Sequence, residues 1–189
     1  MRAAAWILAF AFVAASLVRG ALAFEDATDK RSIDAEKSRA QFSITHIFVD
    51  HVTGTVPIVN GSVNLIKESS IPVSAAAVLD ASRLNTGDRD RDASLQSSDY
   101  FDVKKFPTWT FSSTKIVPSG PAAFEMDGML TVHGVAQLEH LAVAVGGDAS
   151  HPIYHAVGHI DRRAFGMKGT RLDPVIGNVA DVTLDIILK

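Results

Sequence analysis

The sequence predicts an all-β fold of eight antiparallel strands closed into a barrel, with one short helix. Three observations carry this. Short apolar runs recur along the chain between Gly, Pro and Asn turn residues, the spacing of a sandwich or barrel. No strand–helix–strand alternation is present, so a parallel α/β sheet is not expected. The 189 residues contain no cysteine. A chain exported without disulfides is held by its core alone, and a sheet closed on itself leaves no exposed edge for another chain to pair with.

The first residues stand apart from the fold. Arg2 precedes an apolar run over residues 3–18 that contains Trp6, Ile7, Leu8 and Phe10, and Ala21-Leu22-Ala23 forms an A-x-A cleavage signal. The run is shorter than the ~20 residues of a membrane span. Residues 1–23 therefore read as a signal peptide and residues 24–189 as the mature domain, starting at Phe24 and bound for the periplasm. Taking Arg2 and Arg19 from the 18 basic residues leaves 16 against 21 acidic ones, a net charge of −5. That excludes the concentrated basic surface of a nucleic-acid binder and gives no charge-driven grip on anionic membrane. A mature chain of this length forms one domain that buries roughly two-thirds of its unfolded surface.

The elements follow in order. Phe42, Ile44, His46 and Phe48 alternate with Gln41, Ser43 and Thr45 over residues 40–48, the period of a half-buried strand. Strands over 52–59 and 61–67 are expected to meet at Asn60-Gly61, a favoured tight-hairpin pair. Residues 73–82 form the next run. The charged stretch from Thr86 to Phe101 breaks the rhythm and predicts a short helix within about Asp90 to Tyr100, capped by Asp90 or Asp92, with Leu95 and Tyr100 turned inward. After Pro107, Trp109, Phe111 and Ser113 share a strand face. Runs over 124–132, 137–145, 153–162 and 179–188 complete the sheet, with turns at 118–121, Gly134 and Gly146-Gly147.

The charged stretch also resembles a family pattern. Thr86-Gly87, Arg91-Asp92, Leu95, Ser97, Asp99-Tyr100-Phe101-Asp102, Phe106-Pro107, Phe111 and Ser113 stand in the order and spacing of the YceI-like proteins. Phe42, Ile44 and His46 resemble that family's opening strand. Val52-Thr53-Gly54 with Gly61-Ser62-Val63, Gly128 to Val135, and Ile160 to Met167 resemble its later motifs. The resemblance spans nearly the whole mature chain. Three positions depart from it: Ser94 stands where the family usually has His, Gln137-Leu138 where it has Lys-Pro, and Ala164 where it has Asp.

The resemblance implies an extended, lipocalin-like barrel whose apolar tunnel holds a polyisoprenoid lipid or an isoprenoid quinone. It implies a carrier rather than an enzyme, with that lipid as ligand and no cofactor. A barrel of this size either fills with side chains or keeps room for one ligand. The inward candidates for ligand binding are Phe42, Ile44, His46, Val63, Leu65, Val78, Trp109, Phe111, Leu130, Val132, Leu141, Val143, Phe165 and Met167. Burial of a long tail is worth about 0.8 kcal/mol per CH₂, and a few polar groups orient the head.

Other chemistry is weaker. His151, His155 and His159 fall four apart, but along a strand that is about 13 Å, too far for one metal, so they read as exposed or rim histidines. Arg91 and Asp92 are either a polar latch at the tunnel mouth or a helix cap with surface pairing. No G-x-S-x-G, H-E-x-x-H or Gly-rich phosphate loop occurs. A lipocalin-like enzyme acting on bound lipid, and a ligand-free envelope stress or structural protein, remain the alternatives. Transient membrane contact and a homodimer are partners the sequence leaves open.

Overall fold

The computed structural model describes residues 28–48, 50–67, 69–148, 150–167 and 175–189. The expected signal peptide and the start at Phe24 lie outside the described residues. Ten strands form one sheet: β1 (Thr28–Ser32), β2 (Arg39–His46), β3 (Asp50–Thr55), β4 (Ile58–Ile66), β5 (Pro72–Asp80), β6 (Thr108–Gly120), β7 (Ala123–Val132), β8 (Val135–Gly147), β9 (Pro152–Asp161) and β10 (Ile176–Ile187). Their order is β1-β4-β5-β6-β7-β8-β9-β10-β2-β3, antiparallel throughout. From β5 to β10 each strand pairs with the next.

The all-β class stands; the count of eight does not. β1, Thr-Asp-Lys-Arg-Ser, has no apolar alternation to betray it. It is a strand because β4 offers it a partner, from Thr28 opposite Ile66 to Ser32 opposite Ser62. Asn60-Gly61 is not a hairpin either. Both residues lie inside β4, and a Cβ on Gly61 would meet Ile33 Cδ1 at 2.5 Å and the Ala76 carbonyl at 2.8 Å. The glycine is there for close approach. The chain breaks instead at Val56-Pro57, where proline has no N–H for the ladder and the Val56 N–H turns to the Ala40 carbonyl at 3.1 Å.

The helix α1 spans Arg89–Gln96 and is capped by neither expected residue. Asp88 is the N-cap, its Oδ1 accepting from the Asp90 and Arg91 N–H groups at 3.0 Å each. Those two bonds satisfy donors that the first helical turn leaves open.

The sheet curls into a half-barrel. Its continuous ladder ends at β1 on one side and β3 on the other. The seam is held by single links. Ile33 bridges Leu188, the Asp34 N–H donates to the Ile187 carbonyl at 2.8 Å, and the Lys189 N–H donates to the Ser32 carbonyl at 2.9 Å. The Arg31 guanidinium adds bonds to the Lys189 carbonyl at 3.0 and 3.2 Å.

The meander gives the molecule two unlike ends. One, the hairpin end, carries the turns into β5, β7 and β9. The other, the helix end, carries α1, short 3₁₀ turns at Ala81–Arg83 and Arg162–Phe165, and the two-residue loop His133-Gly134. That loop takes φ values of 53° and 74°, the left-handed pair of a tight hairpin. Buried side chains gather in two clusters. One, centred on Phe124, Met126, Leu141, Val143 and Tyr154, fills the hairpin end. The other, Val132, Phe165 and Met167 with Trp109, Leu130 and Ile160 against them, lies under the helix end.

Candidate functional site

Between the clusters the inner face of the sheet encloses an apolar cavity of about 470 Å³. This lies within the roughly 300–1,000 Å³ of small-molecule sites. Its room comes from small side chains. On β5 the inward positions are Ala75, Ala77 and Leu79, and Ala40, Ala156 and Ala180 line other walls. Two aromatic rings use glycines as recesses: a Cβ on Gly54 would collide with the ring of Phe42, and one on Gly128 with the ring of Phe111. A cavity lined this way favours apolar contents over water.

Twelve of the sequence candidates line it: Phe42, Ile44, His46, Val63, Trp109, Phe111, Leu130, Val132, Leu141, Val143, Phe165 and Met167. Two do not. Leu65 is buried in the hairpin-end cluster but lies against a separate shallow hollow with Thr28 and Arg31. Val78 has the opposite parity from its expected one. It pairs with the exposed Thr110 on β6, while its neighbour Leu79 pairs with the inward Trp109.

The cavity is polar only toward the helix end. His46, Arg91, Ser94, Glu139 and Arg162 touch it there, whereas toward the hairpin end it is lined by the fully buried Phe124 with Tyr154 and Pro72. Phe124 stacks edge-on against Tyr154 with ring centres 6.0 Å apart. The Tyr154 hydroxyl donates to the Ser70 carbonyl at 2.9 Å, and burial pushes its pKa up to about 12. That wall stays neutral.

Arg91 and Asp92 converge on one residue. Asp92 Oδ1 accepts from the Thr86 N–H at 2.9 Å and from its hydroxyl at 2.6 Å. Arg91 Nε donates to Thr86 Oγ1 at 2.8 Å and Nη2 to the Thr86 carbonyl at 3.0 Å. The pair thus clamps the loop before α1 onto its first turn and holds Arg91, Ser94 and Leu95 against the cavity. Tyr100 is buried beside them, as the spacing suggested.

Sequence reasoning missed Glu139 and Arg162. Arg162 is only 7 % exposed. It donates to the carbonyls of Gly177 at 2.8 Å, Met167 at 2.7 Å and Ile176 at 3.3 Å, which ties the 3₁₀ turn to β10. Glu139 shares the inward parity of Leu141 and Val143. Burial, then the nearby Asp161 charge, raises its carboxyl above the ordinary range. The signal for Glu139 was available: a carboxylate two residues before an inward Leu. Two departures from the family pattern also meet here, since Gln137 Nε2 donates to the Ala164 carbonyl at 2.9 Å.

The outer face is ionic. His155 Nδ1 lies 2.8 Å from Asp185 and His159 Nδ1 lies 2.7 Å from Asp181, each pair directly opposed across β9 and β10. His140 lies 2.7 Å from Asp127 and 2.9 Å from Glu125. Asp127 raises the His140 pKa first by hydrogen bonding and then by charge, with Glu125 adding to both and burial opposing. The four-spaced histidines are therefore surface partners of carboxylates, away from the cavity.

A curled antiparallel sheet around a mostly apolar cavity, with ionic pairs on its outer face, defines an all-β half-barrel. The chain belongs to the YceI-like family, whose domain model matches residues 32–188. A UPF0312 protein of Vibrio parahaemolyticus is 27% identical over 139 residues, covering 72% of each chain. One from Pseudomonas putida is 27% identical over 147 residues, covering 72% of this chain and 76% of its own. Among solved structures, BcnA of Burkholderia cenocepacia is similar with a TM-score of 0.75, at 21% identity, over 83% of this chain and 99% of that one. A polyisoprenoid binding domain from Saccharophagus degradans, implicated in plant cell wall breakdown, gives a TM-score of 0.63 at 15% identity, over 86% and 98% of the two chains. At these identities the structures establish the fold.

Proposed function

We propose that this chain is an exported binding and carrier protein that holds a long-chain polyisoprenoid lipid or isoprenoid quinone. The observation that carries the reading is the large apolar cavity, whose charged lining side chains, Arg91, Glu139 and Arg162, lie toward one end. Apolar burial of the tail, about 0.8 kcal/mol per CH₂, supplies the affinity. The polyisoprenoid-binding neighbour of like fold supports the ligand class. The tail lies toward Phe124 and the head toward the helix end. Residues 1–23 serve export, so protein recovered from the periplasm is expected to start near Phe24. An N-terminus still at Met1 in the membrane fraction would overturn that part.

The test is mass spectrometry of an organic extract from the purified protein, with titration of the mature chain by a long-chain isoprenoid quinone. Trp109 is the one tryptophan after residue 23 and lines the cavity, so its fluorescence is expected to respond saturably. A lipid-free extract and no response to any polyprenol or long-chain quinone would favour a ligand-free structural role. Chemical turnover of the bound lipid would favour an enzyme. Leu130→Asp is expected to lower lipid retention more than Thr131→Asp, because it places an unpaired carboxylate against hydrocarbon. Equal retention by two folded variants would refute the inner-face assignment.

A further inference from the structure

We propose that Glu139 and the indole N–H of Trp109 are the head-group contacts of this cavity, and that the head they select is an uncharged hydroxyl-bearing one, an alcohol or phenol. This rests on the carrier reading. Among the described residues, Trp109 Nε1 is a buried donor with no hydrogen-bond partner. An orphaned buried donor of this kind costs free energy unless something completes it. Phe101 packs on its ring, 4.7 Å between centres, and fixes the indole in place.

Glu139 is the matching acceptor. It shares the inward parity of Leu141 and Val143 on β8, opposite Gly128 of β7, and lines the cavity. No hydrogen bond contributes to its raised pKa; burial and the Asp161 charge are the causes. One cavity therefore holds an unused donor and an unused acceptor in walls that are mostly apolar. A hydroxyl head group lying between them can accept from the one and donate to the other through bound water.

The cations beside the cavity are committed elsewhere. Arg162 is spent on three backbone carbonyls, and Arg91 holds Thr86 through Nε and Nη2. A phosphate head would meet the Glu139 carboxyl, beside arginines already bonded to Thr86 and to backbone carbonyls. A quinone carbonyl, an acceptor only, would satisfy Trp109 and leave Glu139 facing oxygen.

The experiment compares a long-chain polyprenol, its methyl ether and its monophosphate on the mature protein, read by Trp109 fluorescence or, for Trp109→Phe, by retention of radiolabelled lipid. The wild type is expected to bind the alcohol about tenfold tighter than either analogue, the scale of one hydrogen bond to a charged group. Glu139→Leu is expected to erase that preference, with the ratio of alcohol to ether affinity falling to about one. Glu139→Gln, which keeps an accepting carbonyl, is expected to restore most of it, and Trp109→Phe to reduce it severalfold. An unchanged alcohol-to-ether ratio in folded Glu139→Leu, or tightest wild-type binding of the monophosphate, would overturn the assignment with the carrier reading intact. Wild-type binding of none of the three would overturn the carrier reading itself.

Discussion

The hairpin end and the helix end of this half-barrel are built on different principles. At the hairpin end, Phe124 is 2 % exposed and Tyr154 is 4 % exposed. Side chains there pack on side chains, and the Tyr154 hydroxyl is tied back to the Ser70 carbonyl. At the helix end, the order comes from hydrogen bonds: Asp88 caps α1, Arg91 and Asp92 grip Thr86, and Arg162 binds three carbonyls. Packing without polar groups makes a floor suited to hydrocarbon. Hydrogen-bonded turns make a rim that can carry Glu139 and still hold its shape. The same cavity thus has a direction, and in the carrier reading that direction orients the lipid.

The largest effect that would break this comparison is at the floor. Phe124→Ala is expected to cost about 3–5 kcal/mol by urea unfolding, as large core truncations do. It should also lengthen the cavity, so that the surviving protein prefers longer tails. A loss under about 1 kcal/mol would mean that the floor is not the packed end. At the rim, Thr86→Val removes a hydroxyl shared by Asp92 and Arg91, and about 1–3 kcal/mol should go with it. Hydrogen exchange should quicken around α1 and spare β7 to β9; uniform quickening would contradict a local clamp.

Glu139→Leu runs the other way. An unpaired inward carboxyl replaced by an apolar side chain is expected to leave stability unchanged or to raise it by about 1 kcal/mol in ligand-free protein. Because the folded-state pKa is raised above its ordinary 4.5, the unfolded chain ionises first. Wild-type stability should then fall as pH climbs from that ordinary value through the folded one, and the variant should lack this fall. The smallest effect belongs to neither end. The folded pKa of His140 is raised above its ordinary 6.5. Its pairing with Asp127 and Glu125 therefore stabilises fully below that value and is lost as pH rises through the folded pKa. The pair is exposed, so the loss should be a few tenths of a kcal/mol, checked by the difference between wild type and His140→Gln at pH 6 and pH 8.5. A loss greater than about 1 kcal/mol would mean this outer face matters more to the fold than its exposure allows.

Much of this was legible in the chain. Alternation placed Phe42, Ile44, Trp109 and Phe111 inward because one face of each strand is buried and the other is not. The misreadings have physical causes. Val78 is expected inside but lies on the other parity of β5, whose inner positions are Ala75, Ala77 and Leu79, and those alanines help to make the void. Gly61 read as a turn because turns and close approaches call for the same residue, and only the crossing of Ile33 separates them. β1 was invisible because its own sequence carries no preference; its partner β4 makes it a strand. Glu139 was passed over as a polar residue in an apolar run, although its parity with Leu141 and Val143 marked it.

The seam sets the order in which this molecule can be assembled. Strands β5 to β10 pair with immediate neighbours in the chain, so that meander can zip as it is made. Ile33 meets Leu188, and Arg31 reaches Lys189 across 158 positions of chain. Loop closure over such a span is slow, because its entropy must be met before the contact rewards it. β1 can pair with β4 and β2 with β3 early, but their join to β10 waits for the last residues to arrive. Closure is a late event, and the polar β1, with Asp29, Lys30 and Arg31, is a fitting strand to leave waiting, since charges on an unpaired edge discourage it from pairing with a stranger.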